Sequence, residues 1–165
     1  MRRLSDDAVT FFDGQGKALA DADVTAAERV VQKFFRTALA KDRAGTMELY
    51  TEDSVLEIPF NESGRTEEGA FRRYSGLAEL AKFTDVAHAA EGTMGASDIE
   101  LHRVEGGDTV FVESRGNIVM SSGREYRNRY VFRFDIEGDK IRRLREYYNP
   151  VTSGLAFGRP IGQPN

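Results

Sequence analysis

Three short glycine turns constrain this chain more than any other feature of it. Glu105-Gly106-Gly107-Asp108, Ser121-Ser122-Gly123 and Glu137-Gly138-Asp139 cut the C-terminal half into four extended segments: Ile99–Val104, Thr109–Met120, Glu125–Ile136 and Lys140–Asn149. Glycine supplies the positive φ that tight hairpin turns demand, so consecutive segments pair as an antiparallel meander. Long strands twist, and a sheet of them curls.

A curled sheet needs a cover for its concave apolar face, and the N-terminal half supplies helices. Thr25 and Glu28 form a capping box, in which each side chain satisfies the other's free backbone N–H. Val30, Val31, Phe34, Phe35, Ala38 and Leu39 follow at helical spacing to about Lys41. Asp42 caps a short second helix carrying Met47, Leu49 and Tyr50, and Ser54–Phe60 reads as a strand. After a polar loop, Asn61–Arg73, Ser75 caps a third helix with Leu77, Leu80, Phe83 and Ala87. The expected architecture is α+β: a cone-shaped, curled antiparallel sheet packed against three N-terminal helices. Residues 1–24 read as an arm docked through Val9, Phe11 and Phe12, residues 25–161 as one domain and 162–165 as a tail. The stretch from Pro150, with Leu155, Phe157, Pro160 and Ile161, can plug or rim the cone.

Composition narrows the function. A length of 165 residues fits one domain. A net charge of −4 argues against general nucleic-acid binding, which needs a basic footprint. The absence of cysteine excludes disulfides, thiolate catalysis and cysteine-ligated metals. Two separated histidines offer no metal-ligand spacing, and the glycines form no phosphate cradle, so neither metal nor cofactor is expected. Met1-Arg2-Arg3-Leu4-Ser5-Asp6-Asp7 has no apolar run behind its arginines, and no stretch is long and apolar enough to span a bilayer. The expectation is therefore a cytoplasmic protein without membrane contact.

Particular motifs carry a resemblance. Tyr50-Thr51-Glu52-Asp53-Ser54-Val55 resembles the start of the first strand in SnoaL-like proteins of the nuclear-transport-factor-two-like superfamily. Gly138-Asp139-Lys140-Ile141 and Arg145-Glu146-Tyr147-Tyr148-Asn149-Pro150 resemble the closing hairpin and last strand of that group. The last of these, with Ala156-Phe157-Gly158-Arg159-Pro160-Ile161, is similar to the end of phenazine-biosynthesis A/B-type proteins. The resemblance implies a cystatin-like, SnoaL-like roll, a pocket for a hydrophobic small molecule and a homodimer paired through the outer face of the meander. It also implies an isomerase, cyclase or dehydratase of secondary metabolism, or else a non-catalytic binding protein, because one fold hosts many activities.

Glu146 is the first candidate for chemistry. The resemblance implies a pocket acid/base at this glutamate, and a carboxyl in an apolar cavity has its pKa raised into a useful range. The alternative is an exposed side chain paired with Arg143 or Arg145. Tyr126, Asn128, Tyr130, Phe132 and Phe134 share one strand face and Arg127, Arg129, Val131 and Arg133 the other. The aromatic face belongs inside, which makes Asn128, Tyr130 and Phe132 pocket candidates. Asn128 and Tyr130 read equally well as structural hydrogen bonders. The arginine face lacks interleaved aromatic platforms and reads as an outer sheet surface. A hairpin closed at Gly138 sets Tyr130 across from Glu146 on the inner face, with Tyr148 beside them, whereas a slip by one residue would turn Glu146 to solvent.

Other candidates stay open. Arg115 and Asn117 share a face with Glu113, and either that face or the one with Val110, Val112, Ser114 and Ile118 points inward. Limonene epoxide hydrolases carry an arginine and an aspartate on the similar strand, and Asn117 replaces the aspartate here, which disfavours epoxide opening. Glu57 either enters the pocket or faces solvent. His88, off the apolar stripe of its helix, is a further pocket candidate.

Overall fold

The computed structural model describes residues 9–163. The reading of Met1–Asp7 therefore lies outside the described residues. The four expected strands are present as β5 (Ala96–Arg103), β6 (Thr109–Met120), β7 (Glu125–Glu137) and β8 (Lys140–Tyr148). They pair in order and antiparallel. Inward positions of β6 and β7 are apolar or small, and outward positions are mostly charged, so alternation settles which face the helices cover.

Both edges of the meander are extended by parallel pairing, which an all-antiparallel reading does not include. β2 (Tyr50–Ile58) runs parallel to β8, with Leu56 opposite Leu144, and β3 (Arg72–Ser75) adds antiparallel beyond it. At the other edge β1 (Phe11–Asp13), from the N-terminal arm, pairs parallel with β5. β4 (Glu91–Thr93) pairs with the far end of β6. The resulting eight-stranded sheet follows the order β1-β5-β6-β7-β8-β2-β3, with β4 off that path, and its ends do not meet.

The helices lie where the apolar spacing put them. α1 (Ala26–Leu39) opens on the full Thr25–Glu28 capping box, and α2 (Arg43–Met47) is capped by Asp42. α3 (Leu77–Ala90) differs from the expectation at its start. Its N-cap is Gly76 at φ 79°, where a Cβ would be strained, and Ser75 ends β3 instead. Ser75 still takes part in the start of the helix, since its backbone N–H donates to Glu79 at 2.6 Å. A fourth helix, α4 (Pro150–Phe157), occupies the C-terminal stretch, opened by Asn149 and ended by Gly158 in the left-handed conformation.

One apolar cluster joins α1 to the sheet. Phe34 and Phe35 meet Phe134 and Phe132 edge to face at centroid distances of 5.2 Å and 5.5 Å. Phe11 of the arm docks against Phe35 at 6.2 Å. Among the described residues no helix is long and apolar enough to cross a membrane.

Candidate functional site

The site begins with the register of the last hairpin. Glu137 pairs with Lys140, so the turn is centred between Gly138 and Asp139 rather than on Gly138. That alone would set Glu146 opposite an outward residue. A bulge then intervenes: Ile141 faces Ile136 and Arg143 faces Asp135, which leaves Arg142 without a partner. The two one-residue offsets add to two and preserve the face. Glu146 lies opposite Phe132 and Tyr148 opposite Tyr130, a correction of two residues to the expected Tyr130–Glu146 pairing.

Glu146 borders a cleft of two lobes, about 190 Å³ and 160 Å³, that share Phe83, Ala87, Glu91, Tyr130 and Glu146 in their walls. Its carboxylate makes no hydrogen bond or ion pair among the described residues. Arg145, its sequence neighbour, points the other way and binds Glu57 at 2.6 Å. Burial pushes the Glu146 carboxyl up from 4.5 to about 7, the Glu91 carboxylate adds to the rise, and Arg72 opposes it. Glu91, at the junction of α3 and β4, is 8% exposed, and its carboxylate is also unpartnered among the described residues. Burial lifts it to about 7 as well, against the pull of Lys41. The Lys41 ammonium caps the end of α3 by donating to the carbonyls of His88 and Glu91.

Hydroxyls complete the wall. Tyr130 stacks on Phe132 at 5.3 Å and spends its hydroxyl proton on the Tyr126 oxygen at 3.0 Å. Burial, first of all, keeps its phenol well above its ordinary range. The ring lies so close over β6 that a Cβ on Gly116 would approach it to 2.7 Å. Tyr148 differs from Tyr130: its oxygen accepts from Arg72 at 2.8 Å, and its own proton has no acceptor among the described residues. Arg72 is held in turn by Glu62 at 2.9 Å, and Glu62, itself 2% exposed, also binds Arg159 at 3.0 Å. Burial acts to raise Glu62, but its own backbone N–H and the two arginines outweigh it and the carboxyl is lowered. Phe157 of α4 packs on Tyr126 at 5.6 Å and borders the first lobe, so the C-terminal helix rims the cleft.

The other candidates fall on both sides of the sheet. His88 and Phe132 line the second lobe, and burial followed by Lys41 lowers the His88 pKa. Arg115 and Asn117 point outward: Arg115 pairs with Asp98 at 3.0 Å, and Asn117 donates to Ser97 at 3.1 Å. Glu57 is 5% exposed but lies on the outer face, under Arg145 and Arg73. Asn128 is buried and borders neither lobe. Its amide donates to Tyr126 at 3.1 Å and to the Asn149 carbonyl at 3.0 Å, while its carbonyl accepts from the Arg129 and Asn149 backbones. It pins β7 to the start of α4.

Sequence reasoning does not find Glu91, Arg72 or Glu62. The only available signals are a carboxylate directly after the third helix and an arginine pair, Arg72-Arg73, beside Tyr74 at the end of a polar loop.

Known proteins share this fold. The family model of the SnoaL-like domain matches residues 31–144. YesE, an uncharacterized protein of Bacillus subtilis (strain 168), is 27% identical over 129 residues, covering 78% of this chain and 84% of its own. A Bacillus subtilis crystal structure provisionally assigned as an isomerase superposes with a TM-score of 0.70 at 26% identity, over 84% of this chain and 96% of that one. A phenazine biosynthesis-related protein of Pseudomonas aeruginosa has the same fold, with a TM-score of 0.58 at 21% identity, covering 82% of this chain and 91% of its own.

Proposed function

We propose that this chain, which belongs to the SnoaL-like family, is an acid/base enzyme acting on a hydrophobic small molecule with a carbonyl or ring system. The reaction class is that of an isomerase, cyclase or dehydratase of secondary metabolism. The observation that carries the reading is the Glu146 carboxyl, unpartnered among the described residues and held near 7 at the border of the apolar second lobe. A group with that pKa is divided between acid and base at neutral pH, which is the condition for taking a proton and returning it. The isomerase assignment of the similar Bacillus subtilis structure supports the same class.

Each wall group has a part. Glu146 takes a proton from a carbon next to the substrate carbonyl, and the electron pair moves onto the carbonyl oxygen. Tyr148, its oxygen already accepting from Arg72, directs its free proton at that developing oxyanion. Tyr130 has its proton engaged by Tyr126 and serves as a flat wall beside the reacting centre. Glu146 then returns the proton to another atom of the substrate.

The test is solvent deuterium exchange, followed by proton NMR, on a panel of cyclic enones and β-diketones. The chain should accelerate exchange at the enolisable carbon, and Glu146→Gln should abolish the acceleration while circular dichroism stays unchanged. Exchange at full rate in Glu146→Gln, or panel members that bind without exchanging, would replace this reading with that of a binding protein.

The reading extends to assembly, as a homodimer. Phe60, Val131 and Tyr147 form an apolar strip on the outer sheet face, with Phe60 against Tyr147 at 5.4 Å. Glu113 and Glu100 lie beside Arg115 and Arg129 on that face, a mixture of signs able to complement itself across a two-fold axis.

A further inference from the structure

The first lobe carries more positive charge than the proton transfer uses. Arg72 enters its wall from β3, Lys82 from α3 and Arg159 from the segment after α4. Glu62 is the one acid that pairs with any of them among the described residues, binding Arg72 and Arg159. Lys82 makes no ion pair or hydrogen bond there. Three cations and one anion leave an excess of positive charge, which the remaining acids of the wall, Glu146 and Glu91, offset only in part because both are held up to about 7.

Arg72 is also underused. Its Nη2 carries all its contacts, to both oxygens of Glu62 and to Tyr148. Its Nε is buried and has no hydrogen-bond partner among the described residues. Its Nη1 makes no hydrogen bond among the described residues and is not buried. The buried Nε is closed to a ligand and the end-on fork shares the engaged Nη2, so Nη1 is the donor that Arg72 offers to an acceptor in the lobe. The second lobe is chemically opposite, walled by Phe34, Phe35, Leu39, Leu56 and Phe132. Glu146 borders both lobes, so a molecule spanning them has its middle at the carboxyl.

We propose that the first lobe is a carboxylate subsite and that the ligand is an amphipathic carboxylic acid. Its acid group lies on Arg72 and Lys82, its ring or hydrocarbon body fills the second lobe, and its central carbon lies against Glu146. The acid/base reading supplies only the meaning of that central position. Recognition of the acid stands on Arg72 and Lys82 alone.

Isothermal titration calorimetry at pH 7 with naphthalene-2-acetate and its methyl ester tests this without any turnover. The acid should bind at least tenfold tighter than the ester. Lys82→Glu, at an exposed helix position, should remove at least tenfold of acid affinity and leave the ester unchanged. Arg72→Met should bring the two affinities together, and Glu146→Gln should keep the preference. Equal affinities, an acid that fails to bind at millimolar concentration, or a preference that survives Lys82→Glu would each overturn the subsite. Failure of the acid/base reading shows separately, as lost deuterium exchange with the acid preference intact.

Discussion

A carboxyl that ionises only near 7 withdraws stability from the fold as it does so. The ordinary Glu146 value is 4.5 and the folded value is about 7, so between those pH values the folded chain holds more protons than the unfolded one. Stability must therefore fall as pH rises through this window and level off above it. The shift corresponds to about 3 kcal/mol for this one group. Glu91 acts in the same direction over the same window. Glu62, with its lowered pKa, acts oppositely and only at pH below the window. Urea unfolding at pH 5 and pH 8 should show wild type losing stability at the higher pH. Glu146→Gln should lose less, by about 2.5 kcal/mol over that interval, because a neutral amide has no charge to desolvate. An identical pH dependence in the two proteins would mean that Glu146 is not desolvated.

At the scale of elements, β6 and β7 are matched through a missing side chain. Gly116 faces Asn128 in register, and the Tyr130 ring lies over its bare backbone. Gly116→Ala should push that ring off β6 and break its hydrogen bond to Tyr126, at a cost of about 1–3 kcal/mol typical of overpacking. Near-ultraviolet circular dichroism should register the tyrosine change, and thermal unfolding the cost. An unchanged spectrum would show that the strand pair yields elsewhere.

The same strands show what a sequence exposes. Glycine turns and alternating aromatics make the meander and its inner face legible, and a capping box makes α1 legible. On β6 the face was undecidable, because Val110, Val112 and Ser114 compete with Glu113 and Arg115 without an aromatic stripe to break the tie. The β2–β8 pairing leaves no local mark, since parallel partners share no turn and lie far apart in the chain. Glu91 is hidden for a related reason: it sits where helical periodicity has stopped and strand periodicity has barely begun.

At the scale of the whole molecule, the outer sheet face sets exposed apolar side chains among its charges. Light scattering at micromolar concentration should return twice the 18.4 kDa chain mass. Val131, 38% exposed, and Phe60, 50% exposed, lie at the proposed seam. Val131→Glu with Phe60→Glu should return the single-chain mass, with stability changed little at such exposed positions. A wild-type chain of single mass would remove the dimer.

The bulge at Arg142 bears on how uniform a preparation of this protein can be. Leu144, fully buried, depends on the same bulge as Glu146 for its direction. Any slip that carried the carboxyl outward would also put Leu144 in water and drive Arg143 and Arg145 inward, a loss of several kcal/mol that marginal folds do not survive. The hydrophobic core therefore proofreads the placement of Glu146. Molecules with that error are discarded as unfolded chains, and a sample that has folded holds one population of cleft geometry.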